Sequence, residues 1–215
     1  MAAVFVDPSR RVAGRRLRAG DSEPPLGWCC ALARQVPRVC IKAAPGLGPE
    51  FVQAGWEAEF VATGRALKEA LLWSPAFATT PRLATVLPAG ATLVARPDEP
   101  VPVADPGEYL LDPNPAVTRA GLVRELGREP GAWQQDPLTA FPSPDRSVST
   151  PFARTLRVAD SMPWRERAVA RRLREPGIGA ADIRRRGLAG GRGADPPPAP
   201  AARRPHRDHR AHQGC

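Results

Sequence analysis

Two apolar segments, residues 4–6 and 39–41, are each followed at once by residues that can take part in chemistry. These residues are Asp7, Pro8, Ser9, Arg10, Arg11 and Lys42. In open α/β sheets, ligands bind just beyond the carboxyl ends of the strands. The carboxylate and backbone carbonyl of an Asp-Pro turn can accept hydrogen bonds from an amine or orient a base, whereas arginine and lysine can bind phosphate. The two segments therefore predict a candidate active-site edge.

Each segment also has a plainer structural interpretation. Asp7 can cap a turn, and the arginines that follow can simply be solvated. Lys42 can mark the point at which a strand leaves the core. Taken separately, these segments favour the structural interpretation, so function must be argued from their combination.

Two further segments combine acidic and aromatic residues. Residues 57–61 (EAEFV) and 67–73 (LKEALLW) carry carboxylates that can orient a substrate, although alternating acids on a strand usually form its solvated face. Residues 107–115 (GEYLLDPNP) lie between two expected domains, and interdomain clefts are favoured ligand sites. Helix capping explains Asn114 and Pro115 without any function.

The elements that position these residues follow from hydrophobic spacing. Residues 4–6 predict a strand, residues 26–36 a helix and residues 39–42 a second strand, which together make one crossover unit of a parallel sheet. The later segments predict antiparallel strands that finish the sheet: 56–63, then 67–73 as a short helix or a strand, then a hairpin of 84–87 and 92–96.

The composition predicts two domains and a tail. Four prolines and three acids in residues 97–106 (PDEPVPVADP) indicate a linker, placed at residues 98–106, that separates a domain of residues 1–97 from one of residues 107–190. The second domain is expected to be small and α+β, with its elements at 114–127, 152–158, 163–176 and 181–185. Residues 191–215 are expected to be disordered, and a shifted reading frame is one explanation of their abrupt loss of pattern.

Charge and composition narrow the classes of function. The net charge is +9, which is typical of nucleic-acid binding, but the chain has only two lysines and many arginine, alanine, proline and glycine residues. That bias is also typical of a GC-rich genome and weakens the argument from charge. No P-loop, GxGxxG or Ser-His-Asp arrangement is present, and the histidines lie only in the tail, so histidine-based catalysis is excluded.

The cysteines and the hydropathy point to a cytoplasmic protein. Cys29, Cys30, Cys40 and Cys215 lack the two-residue gap of a zinc or redox motif, and buried thiols are the simpler interpretation. His206, His209 and His212 lie in a Pro/Arg segment without a scaffold, so no metal is expected. No signal peptide and no apolar run long enough to span a membrane are present.

Read in order, several segments resemble bacterial, actinobacterial-type class I S-adenosylmethionine-dependent methyltransferases with a C-terminal THUMP-like domain. The resemblance spans residues 4–190. It rests on VFVDPSRR with GRR, VCIKAAPGL, AEFV with GRALKEALLW, GEYLLDPNPAVTRAGLV, STPFARTLRV and IGAADIRRRGL. The fold class that it implies is α/β: the C-terminal half of a Rossmann-like methyltransferase sheet, followed by a small α+β THUMP-like domain.

The resemblance also implies roles for particular residues. Residues 4–7 correspond to the fourth strand of the sheet, and Asp7 and Pro8 take catalytic positions that face the methyl acceptor. Ser9, Arg10, Arg11 and Lys42 become substrate-binding residues, and the cofactor is S-adenosylmethionine. Ser9 stands where related enzymes often carry proline or alanine, which leaves the acceptor open. The C-terminal domain resembles an RNA-presenting module, so RNA is the expected partner.

The chain departs from the family in one respect. The family's glycine-rich cofactor loop falls upstream of Met1, so the sequence predicts a truncated enzyme that binds S-adenosylmethionine poorly and is inactive alone. The missing N-terminal half is then a possible partner chain. Two alternatives stay open, namely a non-enzymatic nucleic-acid-binding module and a nonfunctional gene remnant.

Overall fold

The structure is a computed structural model that describes residues 2–12, 15–16, 21–97, 99–137 and 139–174. Its contacts divide the chain into two compact units, Met1–Asp160 and Ser161–Cys215. The division therefore falls after Asp160, whereas the sequence predicts a linker at residues 98–106. The strand expected at 181–185, the histidines and the tail lie outside the described residues.

The first crossover unit forms as the sequence predicts. Strand β1 (Val4–Val6) leads through two short antiparallel strands, β2 (Arg11–Val12) and β3 (Arg15–Arg16), to helix α1 (Leu26–Ala31). A 3₁₀ turn then leads to β4 (Val39–Ala43), which pairs with β1 in parallel. The apolar spacing of α1 places Cys29 and Cys30 in the core, which confirms the expectation of buried thiols.

Four more strands complete a six-stranded mixed sheet. They are β5 (Glu57–Thr63), β6 (Ala66–Trp73), β7 (Arg82–Leu87) and β8 (Ala91–Val94), and the spatial order is β1-β4-β6-β5-β7-β8. Residues 67–73 are thus a strand and not a helix, and β7 and β8 form the predicted hairpin. The pairing of β5 with β7 is parallel, so a parallel pair also occurs beyond the antiparallel strands, although the sequence pattern predicts only antiparallel strands there.

The main core lies on one face of this sheet. Alternate strand residues such as Ile41, Phe60 and Leu72 pack there with buried residues of α1 and of a second helix, α2 (Pro115–Ala120). The neighbours of these residues along each strand, such as Cys40, Glu59 and Trp73, belong to the opposite face, because successive side chains of a strand alternate between the two faces. The helices that the structure describes in residues 1–160 contribute their buried side chains to the first face only.

A second, two-stranded sheet follows residue 106. Strand β9 (Tyr109–Pro113) pairs antiparallel with β10 (Ala153–Arg157). The sequence predicts β10 but treats residues 107–115 as a connection, because proline and asparagine at the end of that segment hide its strand character. Asp112 of β9 is almost fully buried, and its Oδ2 accepts hydrogen bonds from Arg65 (2.8 Å) and Arg154 (3.1 Å).

The helix predicted for residues 114–127 is two helices. Asn114 caps α2 by accepting a hydrogen bond from the amide of Ala116, and Pro115 takes the first helical position, as predicted. Gly121 then adopts a φ of +69°, which ends α2, and α3 (Val123–Arg128) begins after it. In the second unit, α4 (Glu166–Leu173) begins three residues later than predicted.

Candidate functional site

The structure brings Asp7 and Lys42 together at the end of the parallel strand pair. Because Val6 is in register with Ile41, the next residue of each strand emerges at the same edge of the sheet. The Lys42 Nζ lies 3.0 Å from Asp7 Oδ2 and 3.8 Å from Glu69 Oε2. The side chain of Asp7 is 54% exposed, so its carboxylate keeps contact with solvent. An accessible carboxylate held by an ammonium group can accept a hydrogen bond from an amine.

Pro8 and Ser9 fix the turn that follows β1. Pro8 is buried, whereas Ser9 is exposed. The Ser9 hydroxyl donates to the carbonyl of Arg11 (2.8 Å) and accepts from its amide (3.2 Å). The backbone of Ser9 also exchanges two hydrogen bonds with Glu23. The hydroxyl of Ser9 is therefore used within its own loop, which favours a structural role over the predicted substrate contact.

The two arginines of the loop have different surroundings. Arg10 is half-buried and lines a small crevice together with Pro8, Lys42 and Asp21. Arg11 is exposed and does not line this crevice. Among the described residues, neither arginine forms an ion pair within 4.0 Å. Arg10 therefore lies in the same crevice as Lys42, whereas Arg11 does not.

The crevice is too small to hold the expected cofactor. Its volume is about 10 Å³, which is close to the space of one water molecule. A ligand of the size of S-adenosylmethionine needs a cavity of several hundred Å³. The described residues that line this crevice therefore do not by themselves enclose this cofactor.

The other predicted carboxylates serve the structure of the sheet. Glu59 accepts hydrogen bonds from the indole of Trp73 (2.9 Å) and the hydroxyl of Thr85 (2.5 Å). Glu57 is 6% exposed, and its Oε2 accepts three hydrogen bonds from Thr79 and Thr80. These groups link neighbouring strands and loops, so the structural interpretation of the acidic segment is the better supported one.

One residue beside Lys42, namely Glu69, does not stand out in the sequence. Glu69 of β6 lies close to Lys42 because β6 runs antiparallel beside β4, with Ala43 opposite Ala70. The sequence treats Glu69 as part of the acidic-aromatic segment and does not connect it with Lys42. The alternation of β6 is the available signal, because it places Glu69, Leu71 and Trp73 on one face.

Three further properties of the described residues are the pKa values of the buried thiols, the presence of groups that could bind a metal ion and the presence of helices that could cross a membrane. Burial raises the pKa of Cys30 and Cys40 to about 11, and it also raises the pKa of Cys29. Within the part of the chain that the structure describes, no group of three or more His, Cys, Asp or Glu residues could hold a metal ion. A search of the same residues finds no helix with the length and apolarity needed to cross a membrane.

The fold is similar to that of a solved structure. A crystal structure from Porphyromonas gingivalis W83, provisionally assigned as a methyltransferase, superposes with a TM-score of 0.61 at 20% identity. The match covers 79% of this chain and 46% of that chain. No family model matches the sequence. At this identity the likeness concerns the fold, and it supports the predicted α/β methyltransferase architecture.

Two curated proteins of Mycobacterium tuberculosis, from strains CDC 1551 and H37Rv, give the more specific comparison. Each is named an uncharacterised S-adenosylmethionine-dependent methyltransferase and is 36% identical over 195 residues. The match covers 87% of this chain and 53% of each relative, so the chain spans about half the length of the relatives it matches. The predicted resemblance to S-adenosylmethionine-dependent methyltransferases is thereby confirmed, and S-adenosylmethionine is the cofactor that the names of these relatives give. The THUMP-like domain and the truncation stay predictions.

Proposed function

We propose that this chain is part of an S-adenosylmethionine-dependent methyltransferase that modifies RNA or a nucleotide-like acceptor. The observation that carries the proposal is the 36% identity, over 87% of this chain, to proteins named as S-adenosylmethionine-dependent methyltransferases. The position of Asp7 and Lys42 at the carboxyl edge of the sheet supports it. Residues 107–190 act as the THUMP-like, RNA-presenting part, and the reaction takes place in the cytoplasm.

Asp7 and Pro8 position the acceptor in this proposal. The exposed carboxylate of Asp7 accepts a hydrogen bond from an amine of the acceptor, and Lys42, 3.0 Å away, keeps the carboxylate in place. The buried ring of Pro8 fixes the backbone beside it. S-adenosylmethionine supplies the methyl group when it is bound. Catalysis then rests on holding the acceptor in place and not on a covalent intermediate of the protein.

The cofactor is held mainly by residues outside the crevice that Pro8, Arg10 and Lys42 line. The small volume of that crevice supports this view, as does the unmatched half of the relatives' length. A polypeptide equivalent to the unmatched half is the proposed partner that completes the site. The chain alone is then expected to bind S-adenosylmethionine weakly and to transfer no methyl groups.

A binding function without catalysis is the second candidate. It is favoured by a separate cavity that Arg82, Arg96 and Arg124 line, and by the net charge of +9. Binding of RNA without cofactor, with affinity that falls steeply with salt, would support this candidate over the enzyme.

Calorimetric titration of S-adenosylmethionine into the chain, alone and co-purified with the unmatched half of the M. tuberculosis relative, tests the proposal. We expect micromolar binding and methyl transfer to RNA only from the combination. In that assembly, Asp7→Asn should lower transfer by at least tenfold, because the carboxylate is lost, while the exposed Asp145→Asn serves as the matched control. Micromolar binding by the chain alone would contradict the expected incompleteness. A fully assembled complex that binds the cofactor but methylates no RNA or nucleotide would contradict the proposed acceptor.

A further inference from the structure

A cavity of about 380 Å³ lies away from Asp7, where β7 meets the turn between α2 and α3. Three arginines line it, namely Arg82, Arg96 and Arg124, and Glu125 is the one carboxylate among its described lining residues. Gln134 and Thr139 also line it, and no aromatic residue is among the described lining residues. The cavity is thus polar and positively charged.

The fold gathers these arginines from distant parts of the sequence. Arg82 begins β7, and its carbonyl accepts a hydrogen bond from the amide of Ala95, which places Arg96 beside it at the end of the β7–β8 hairpin. Arg124 comes from the first turn of α3. None of these three positions stands out in the sequence, because arginine is common throughout the chain.

Gly121 makes room for one of the guanidinium groups. A Cβ atom at this position would lie 2.7 Å from Nη1 of Arg82, closer than such contacts allow. Its φ of +69° also favours glycine over other residues. The turn that separates α2 from α3 therefore lets the Arg82 side chain lie against the backbone at the cavity wall.

Among the described lining residues, the positive charge of the cavity is balanced only in part, because three arginines face one carboxylate, that of Glu125. Among the described residues, neither Arg82 nor Arg96 forms an ion pair within 4.0 Å. Arg124 already has an interaction partner, so Arg82 and Arg96 are the lining arginines that form no ion pair among the described residues. Guanidinium groups bind phosphate oxygens with two parallel hydrogen bonds, which makes arginine well suited to phosphate recognition.

We propose that this cavity binds phosphate groups of an RNA backbone. The inference rests on the proposed function and deepens it, because it names where the RNA is held outside the Asp7 edge. The volume of the cavity exceeds that of a single phosphate group and is large enough for a phosphate together with its ribose. The lack of aromatic rings in the described lining disfavours stacking of a base, so the contacts are to the backbone and largely independent of sequence.

Fluorescence anisotropy of a labelled single-stranded RNA oligonucleotide with the full chain tests this site. We compare the wild type with Arg82→Gln, Arg96→Gln and the double variant, over a series of salt concentrations and without cofactor. The matched control is Arg157→Gln, an exposed arginine of β10 that does not line the cavity. Circular dichroism checks that each variant is folded.

We expect each single variant at the cavity to bind RNA about fivefold more weakly and the double variant to bind more weakly still. The slope of log K against log salt should fall by about 0.7 for each phosphate contact that is lost. Equal affinity and slope for the cavity variants and Arg157→Gln would overturn the proposal, as would RNA binding that inorganic phosphate and salt leave unchanged. Because the assay needs neither cofactor nor methyl transfer, its failure is distinguishable from failure of the proposed enzyme.

Discussion

At the scale of single residues, Asp112 shows how charge is used inside this molecule. Its carboxylate is 1% exposed and binds Arg65, from the turn between β5 and β6, and Arg154 of β10. Arg65 also donates to the carbonyl oxygens of Asp112 and Pro113. The residue therefore connects the six-stranded sheet with the two-stranded one, although the sequence suggests a place for it in a ligand cleft.

We expect Asp112→Asn to lower the free energy of unfolding by about 2 kcal/mol, because it removes charged hydrogen bonds from a buried site. Urea denaturation followed by circular dichroism measures the change. The exposed Asp145→Asn is the control and should change stability by less than about 0.5 kcal/mol. A loss no larger than that of the control would show that the arginines stabilise this joint without the carboxylate charge.

The buried thiols predict a loss of stability at alkaline pH. Burial raises the pKa of Cys30 and Cys40 from the ordinary 9.0 to about 11, so the folded chain holds these protons more tightly than the unfolded chain. Their stabilising contribution is complete below pH 9 and is lost as the pH rises towards 11. Urea denaturation from pH 7 to 11 should show this loss, and Cys40→Ala should reduce it. An identical alkaline profile for wild type and Cys40→Ala would contradict the assignment to the Cys40 thiol.

At the scale of elements, Asn114 has two functions at the start of α2. Its Oδ1 accepts a hydrogen bond from the amide of Ala116 (3.1 Å), and its Nδ2 donates to the carbonyl of Gly64 (2.7 Å). The first contact is the cap that the sequence predicts. The second joins α2 to the turn between β5 and β6, and no local pattern indicates it because fifty residues separate the two partners.

We expect Asn114→Ala to cost about 1.5 kcal/mol of stability, since it removes both the cap and the contact to Gly64. Asn114→Ser keeps a capping oxygen and should cost about half as much. Thermal and urea unfolding of the two variants provide the comparison. If both variants lose the same stability, the contact to Gly64 and not the cap dominates.

At the scale of the whole molecule, the outer edge of β1 is exposed. Among the described residues, no strand pairs with that edge, and the ring of Phe5 on β1 is 62% exposed. Unpaired strand edges and exposed apolar side chains favour association with other chains. The same edge is where the proposed partner polypeptide would complete the sheet.

We therefore expect the isolated chain to self-associate as its concentration rises and Phe5→Lys to reduce this association. Size-exclusion chromatography with light scattering measures the mass. Leu87→Lys is the matched control, since Leu87 is 40% exposed at the end of β7, a strand that is paired on both sides. A concentration-dependent mass that is the same for both variants would place the association elsewhere.

The position of Asp7 beside Lys42 is predictable because a strand-helix-strand crossover makes two parallel strands end at the same edge. The cap at Asn114 and the hairpin of β7 and β8 are predictable for the same kind of reason, since each depends on residues close in sequence. The resemblance to methyltransferases also follows from the sequence alone, because it depends on ordered segments and not on contacts between them.

Contacts between distant segments could be identified only from the tertiary structure. The insertion of β6 between β4 and β5 brings Glu69 to Lys42, and the packing of α2 and α3 brings Arg124 towards Arg82. The Ser9 hydroxyl is used by its own loop, which its residue type alone does not reveal. Local patterns determine elements because they depend on spacing within a segment, whereas the partners of a side chain depend on how remote segments pack.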